Sequence, residues 1–385
     1  MRFSIFSSAI VAAVVGFGST LALIIAAAIA LDATPEQTGS WVTAICIAKV
    51  FETLILSWRH RIPIITAWST AGLALIGASS GITMGEAVGS FLLAALLLVA
   101  TGLFRPLTTL VARIPPSVSA GMLAGILLPF AMAAAKAAQF EPHFVLPLAA
   151  LFFLVRLFSA PFAVIAVLGI GVVWALLAGS TLPPPEASTL TWVKPEFSIA
   201  ALIGLGVPIY LVTMASQNLP GMAVLKADGY DPPAGPIVAV TGFFSFLSAF
   251  FGASTTNLAA ITAAICTGED THPDKTKRWL VAFPYAACYA LFAFFGASLA
   301  AIFASLPPTL IALIAGLALL APLANAAAIA LAEPAGRLPA TATFAITASG
   351  VAFFGVGAAF WGLAAGLTLL FLPNLIGRGR SSAGA

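Results

Sequence analysis

Apolar runs near membrane-crossing length, separated by short charged or Pro/Gly-rich breaks, recur along almost the whole chain. Set against the roughly 20 residues that cross a hydrocarbon core of about 30 Å, the pattern predicts fourteen helical segments. The first seven cover about 6–30, 38–57, 63–78, 84–104, 110–135, 143–157 and 161–179. The second seven cover about 199–222, 234–252, 255–267, 278–303, 308–331, 340–355 and 357–373. Segments 3 and 10 are short for full crossings and follow breakers and hydroxyls, which predicts an extended stretch leading into a half helix. Two polar stretches interrupt the apolar pattern, Ser216-Gln217-Asn218-Leu219-Pro220-Gly221 and Phe251-Gly252-Ala253-Ser254-Thr255-Thr256-Asn257. Lipid offers amides and hydroxyls no hydrogen bonds, so such clusters persist only against protein, water or a ligand. They read as the floor of a binding site.

Composition agrees and narrows the class. Of 385 residues 61% are hydrophobic and 8% charged, with a mean hydropathy of +1.10, which excludes an ordinary soluble domain. Continuous Ala/Leu/Ile/Phe runs exclude the short alternating segments of a β-barrel. The fold class is therefore an all-α polytopic membrane protein. Net charge is only +3, and no Lys/Arg cluster forms a nucleic-acid footprint. The placement of those charges tests the span count. With Arg2 inside, alternate connections carry Arg59 and Arg61, Arg105 and Arg113, Arg156, Lys226, Lys275 with Lys277 and Arg278, Arg337, and Arg378 with Arg380. Lys136 and Lys194 fall outside, and Lys49 within the second span. Both termini are expected on the cytoplasmic side of a bacterial inner membrane. The apolar stretch within the first 30 residues exceeds a signal-peptide core and is taken as an uncleaved first span.

The linker Ser180 to Phe197, with Pro183-Pro184-Pro185, divides the chain into repeats 1–190 and 191–385. Ile114-Pro115-Pro116-Ser117 echoes Leu306-Pro307-Pro308-Thr309, while Ser19-Thr20 echoes Ser216-Gln217 and Pro35 echoes Pro232. Seven spans per half, an odd number, make the repeat inverted. Inverted repeats with paired broken helices point to a secondary transporter working by alternating access.

Three strings carry the candidate chemistry: Gly206 to Gly221, which includes Thr213-Met214-Ala215-Ser216-Gln217-Asn218-Leu219-Pro220-Gly221; Asn257 to Gly268; and Thr66-Ala67-Trp68-Ser69-Thr70-Ala71-Gly72. Together they resemble the benzoate:proton symporter family, over nearly the whole chain. That family is similar in turn to the nucleobase-cation symporters and the sulfate and bicarbonate transporters. The resemblance implies a core of 1–104 plus 199–303 moving against a gate of 105–180 plus 304–375, with half helices at segments 3 and 10 meeting near the bilayer centre. Their N-termini would favour a carboxylate. Benzoate or a similar aromatic carboxylate, with protons, is the implied cargo, and a homodimer the expected assembly.

On that reading Ser254, Thr255, Thr256 and Asn257 match N-cap chemistry for segment 10, as Thr66, Ser69 and Thr70 do for segment 3. They either cap alone or also line the substrate site. Gln217 and Asn218 cannot both hide on one helix face, so one should reach the cavity, the alternative being bonding between helices. Trp68 either stacks on an aromatic ring or braces the core. Ser19 and Thr20 either complete the pocket or, beside Gly16 and Gly18, serve close packing. Lys49 and Glu52 share a helix face at i,i+3. They read as a structural ion pair or a snorkelling lysine, with Glu52 the candidate for proton coupling. The related nucleobase transporters carry carboxylates on spans 8 and 10, where this chain offers Gln217, Asn218 and Asn257. That departure suits an anion.

His60, His143 and His272 lack a second ligand at metal spacing, and Cys46, Cys266 and Cys288 read as buried thiols. With no phosphate loop and no Ser/His/Asp set, neither ATP-driven transport nor catalysis is expected, and no cofactor or metal is called for.

Overall fold

A computed structural model describes residues 3–104, 115–179 and 181–382, with the side chains of Ile261 and of residues 372–382 outside that description. Arg2, Arg105, Arg113, Ile114 and the start of the fifth predicted segment lie outside the described residues, as do the side chains of Arg378 and Arg380.

The first half runs α1 (Phe3–Ala30), α2 (Pro35–His60), β1 (Thr66–Trp68), α3 (Thr70–Gly77), α4 (Met84–Leu103), α5 (Pro116–Phe140), α6 (Pro142–Phe158) and α7 (Ala160–Leu177). The second half runs α8 (Ile199–Ala227), α9 (Ala234–Ala249), β2 (Thr256–Leu258), α10 (Ile261–Thr267), α11 (Ala282–Phe294), α12 (Gly296–Ala304), α13 (Pro308–Ala332), α14 (Arg337–Ala348) and α15 (Ala358–Ser382). Each predicted run overlaps at least one of these elements, and the runs 63–78, 255–267 and 278–303 overlap two each. Among the described residues, α1, α2, α4, α5, α7, α8 and α13 are long and apolar enough to cross a membrane alone. The stretch Lys275–Phe294 joins α12 at a 65° bend to make one further candidate crossing.

Local sequence explains the boundaries. Thr34 and Thr83 open α2 and α4 with capping boxes, paired with Gln37 and Glu86. Ser69 caps α3 by accepting from the Gly72 N–H. Arg61 closes α2 in the left-handed region at φ 56°. Helix α8 contains two π-turns, Leu202–Gly206 and Met214–Asn218, each just before a proline, Pro208 and Pro220. A proline ring clashes with the carbonyl four residues back and supplies no N–H, and the wider turn accommodates both defects.

The extended stretches before α3 and α10 are the feature that positions the site. Strands β1 and β2 pair antiparallel, with Thr66 opposite Leu258, Ala67 opposite Asn257 and Trp68 opposite Thr256. The ladder continues through Ser69 N–H to Thr255 O at 3.1 Å and Ala259 N–H to Ile65 O at 2.8 Å. Two segments 190 residues apart at the central register pair (257 − 67) thereby satisfy each other's backbone groups where lipid could not. Helices α1, α2, α3, α4, α8, α9, α10 and α11 pack around this ribbon, while α5, α13, α14 and α15 pack mainly on one another. Gly316 lets α13 approach α5 so closely that a Cβ there would lie 2.5 Å from the Phe130 carbonyl oxygen. The linker between α7 and α8 bonds Thr191 N–H to Ser40 Oγ, Val193 N–H to Phe250 O and Glu196 N–H to Gly85 O.

Candidate functional site

A cavity of about 450 Å³ lies between the ribbon-centred helices, contributing α1, α2, α3 and α8, and the facing pair α5 and α13. Its size falls within the roughly 300–1,000 Å³ of small-molecule sites, and like them it is mostly apolar with a few polar groups.

Of the residues singled out in the sequence, Ser19, Thr20, Trp68 and Gln217 line this cavity. The Ser19 hydroxyl donates to Val15 O at 2.7 Å. Trp68 leaves β1 with its Nε1–H donating to Gly16 O at 3.3 Å, and its ring lies 5.5 Å from Phe17 and 6.3 Å from Tyr289. Gln217 reaches the cavity from the second π-turn and donates from Nε2 to Thr70 Oγ1 at 2.9 Å, tying α8 to the first turn of α3. Asn218 turns away: its Oδ1 accepts from Leu258 N–H at 2.9 Å, so this amide holds the ribbon.

The remaining polar candidates sit behind the cavity wall. Thr66 and Ser69 are fully buried; the Thr66 hydroxyl bonds Thr53 Oγ1 at 2.9 Å, and Ser69 Oγ bonds Thr213 Oγ1 at 2.9 Å. Ser254, Thr255, Thr256 and Asn257 are not helix caps, because α10 begins at Ile261 after Ala260 with no side-chain cap bond. They occupy the approach to β2 and the strand itself, all fully buried. The strand consumes the residues that a helix start at 255 would have used as caps. Thr255 Oγ1 joins Thr213 at 3.0 Å, and Asn257 Nδ2 donates to Leu258 O at 2.8 Å while its Oδ1 has no partner.

The expected Lys49–Glu52 ion pair does not form. Among the described residues the salt bridge within 4.0 Å is Lys277–Asp274, outside this region. Three residues along a helix leave two side chains only about 60° apart, so what separates this pair is the partner each meets off α2. Lys49 faces the cavity and aromatic rings, with Nζ 3.4 Å from the Tyr289 centroid, 4.9 Å from Trp68 and 5.5 Å from Tyr285. Glu52 faces β2 and accepts from Thr256 Oγ1 at 2.5 Å.

Compared with known proteins, residues 1–372 match the family described as benzoate membrane transport protein, BenE. The chain belongs to the benzoate membrane transport protein family. It is 38% identical over 371 residues to inner membrane protein YdcO of Escherichia coli, covering 95% of this chain and 94% of that protein. It is 34% identical over 365 residues to the benzoate membrane transport protein of Acinetobacter baylyi, covering 94% and 93%. Its fold resembles the transmembrane domain of a cyanobacterial bicarbonate transporter, BicA, at TM-score 0.57 and 15% identity, covering 95% of this chain and 98% of that one. The murine Solute Carrier 26 family member A9 anion transporter is a second structural relative, at TM-score 0.61 and 12% identity, covering 96% and 68%. This member of the benzoate transport family is therefore a multi-pass membrane transporter, not an enzyme.

Within this family member, the cavity also takes in Thr70, Ser216, Thr262, Ser119 and Asn325. Asn325 and Ser119 project from α13 and α5, opposite the ribbon, and were absent from the sequence candidates. The signal for Asn325 was present: an amide inside the apolar run Ala321 to Ile329 obeys the same rule that selected Gln217.

Proposed function

We propose that this transporter carries benzoate or a similar aromatic carboxylate inward with protons, by alternating access. The observation that carries the reading is the cavity itself: in a chain matching the benzoate transport family almost throughout, it combines Trp68 with an amide and hydroxyls, and no carboxylate lines it among the described residues. Trp68 offers an aromatic face to a ring. The first turn of α3, with Thr70 and Ala71 in the cavity wall, supplies N–H groups and the positive end of a helix dipole to a carboxylate.

Energetics support coupling to a cation, taken in this reading to be the proton. A carboxylate entering against an interior-negative potential costs about 2.3 kcal/mol per charge per 100 mV unless a cation travels with it. Glu52, buried inside α2, is the proton-carrying candidate in this reading. The reading also includes fourteen spans in two inverted repeats, 1–190 and 191–385, with half helices at α3 and α10. The core, 1–104 plus 199–303, moves against the gate, 105–180 plus 304–375, in a homodimer with cytoplasmic termini. Supporting the division, α5 packs chiefly on α13 and α14, and α4 chiefly on α9, so the cavity lies at the seam between two packed groups.

Purified protein in proteoliposomes, given labelled benzoate, tests this. Accumulation above equilibrium with an acidic exterior or negative interior is expected. Uptake that reaches but never exceeds equilibrium makes the protein a facilitator. Uptake of a nucleobase, sulfate or an aliphatic acid in place of benzoate reassigns the substrate.

A further inference from the structure

Among the described residues, Lys49 is the one charged side chain in the cavity lining. It is 1% exposed, and among the described residues no hydrogen bond or ion pair reaches its ammonium. Its surroundings are ring faces: Tyr289, Trp68 and Tyr285, all fully buried. Ring quadrupoles attract a cation but take up none of its three N–H donors as a carboxylate oxygen would. Glu52, one turn on, is directed to Thr256 and leaves the ammonium unneutralised by an ion pair. A cation inside a membrane span is costly and marks a functional position when a water- or ligand-filled space adjoins it.

We propose that Lys49 is the carboxylate-binding residue of the cavity, with the Tyr289 ring as the seat of its ammonium when no substrate is bound. The inference deepens the transport reading and rests on it. A monoanion docking on Lys49 forms charge-assisted N–H···O bonds that the empty site lacks. One fixed positive charge matches one carboxylate, so the class selected is the aromatic monoanion over its neutral isosteres. Trp68, which holds a wall of the same cavity and lies 4.9 Å from the ammonium, places an aromatic face beside the bound headgroup. The residue earlier read as half of an ion pair thus becomes the substrate's counter-charge.

The test is calorimetric binding of benzoate and of neutral benzamide to purified wild type, Lys49→Met and Lys49→Arg. Lys49→Met keeps the bulk of the stem and removes the charge. It should lose about 10- to 150-fold in benzoate affinity, the range for a hydrogen bond to a charged group, with benzamide binding unchanged. Lys49→Arg restores charge and should recover part of the loss. Lys49→Met binding benzoate within about twofold of wild type overturns this inference alone. Failure of wild type to bind benzoate at all overturns both this inference and the substrate assignment. If Lys49→Met does not fold, wild type labelled with 15N-lysine carries the test, its Lys49 ammonium resonance assigned by its absence from Lys49→Arg. A resonance that shifts with benzoate and not with benzamide supports the inference, and one that stays still with both overturns it.

Discussion

Glu52 on α2 accepts a hydrogen bond from the Thr256 hydroxyl on β2, joining two residues 204 positions apart, while its second oxygen, Oε2, is buried with no hydrogen-bond partner among the described residues. Thr256 is held in turn by Ser245, whose Oγ lies 3.0 Å from Thr256 Oγ1 and accepts from Thr256 N–H at 2.9 Å. An intramembrane carboxylate is thereby fixed to the ribbon whose other strand delivers Trp68 to the cavity.

Glu52→Gln keeps the acceptor for Thr256 and removes the titratable carboxyl. Proton-driven accumulation is expected to collapse, with benzoate exchange across the membrane preserved. One unit of pH difference supports up to about tenfold accumulation at one proton per substrate, so the loss reads directly in proteoliposome uptake. Unchanged accumulation per folded molecule assigns Glu52 a purely structural role.

Gln217→Ala removes the Gln217–Thr70 bond at the cavity wall, and Gln217→Glu also brings in a negative charge. The alanine variant should weaken benzoate binding by about 0.5–1.5 kcal/mol, the usual net value of one such bond. The glutamate variant should weaken it further at neutral pH, because a carboxylate then faces a carboxylate. Titration calorimetry ranks the two, and the reverse order contradicts an anion at this wall.

Asn257→Asp should act on folding and not on affinity. Asn257 lies behind the cavity with Nδ2 on Leu258 O, so an aspartate oxygen there meets a carbonyl and has no donor to pair with. An unpaired buried charge is strongly destabilising. Thermal unfolding in detergent should show a large drop, with benzoate affinity of the folded fraction within about twofold of wild type. A selective loss of affinity at unchanged stability places the carboxylate against Asn257 after all.

Ser69→Ala removes the cap of α3 together with the Ser69–Thr213 bond. Caps are worth about 0.5–2 kcal/mol, and the melting temperature should fall accordingly. Ser69→Thr retains the hydroxyl and should recover most of the loss. Equal melting of the alanine and threonine variants removes capping as the role of Ser69.

Gly316→Ala drives a methyl group onto the Phe130 carbonyl oxygen and the Ala134 side chain at the α5–α13 contact. Overpacking of this kind costs about 1–3 kcal/mol. Adding Ala134→Gly should restore little of it, because the Phe130 carbonyl belongs to the backbone and cannot be trimmed away. Thermal melting of the single and double variants decides the point.

Much of the architecture was legible in the order of residues. Membrane insertion, the positions of the apolar runs and the extended entries to segments 3 and 10 follow from local rules, because lipid penalises every unpaired polar group and each run must answer to length and composition. Gln217 announced itself as an amide in an apolar span. Three-dimensional partners decided the rest. That the two extended entries would pair, using up Ser254 to Asn257 as strand and approach instead of caps, depends on a contact across 190 positions (257 − 67), and no local pattern encodes it. Whether Gln217 or Asn218 faced the cavity was settled by the π-turn before Pro220 and by the Leu258 N–H that claims Asn218. Lys49 and Glu52 looked like partners because helical spacing brings them near. They part because α11 supplies aromatic faces to one and β2 a hydroxyl to the other, and partners from distant segments outweigh a neighbour on the same helix.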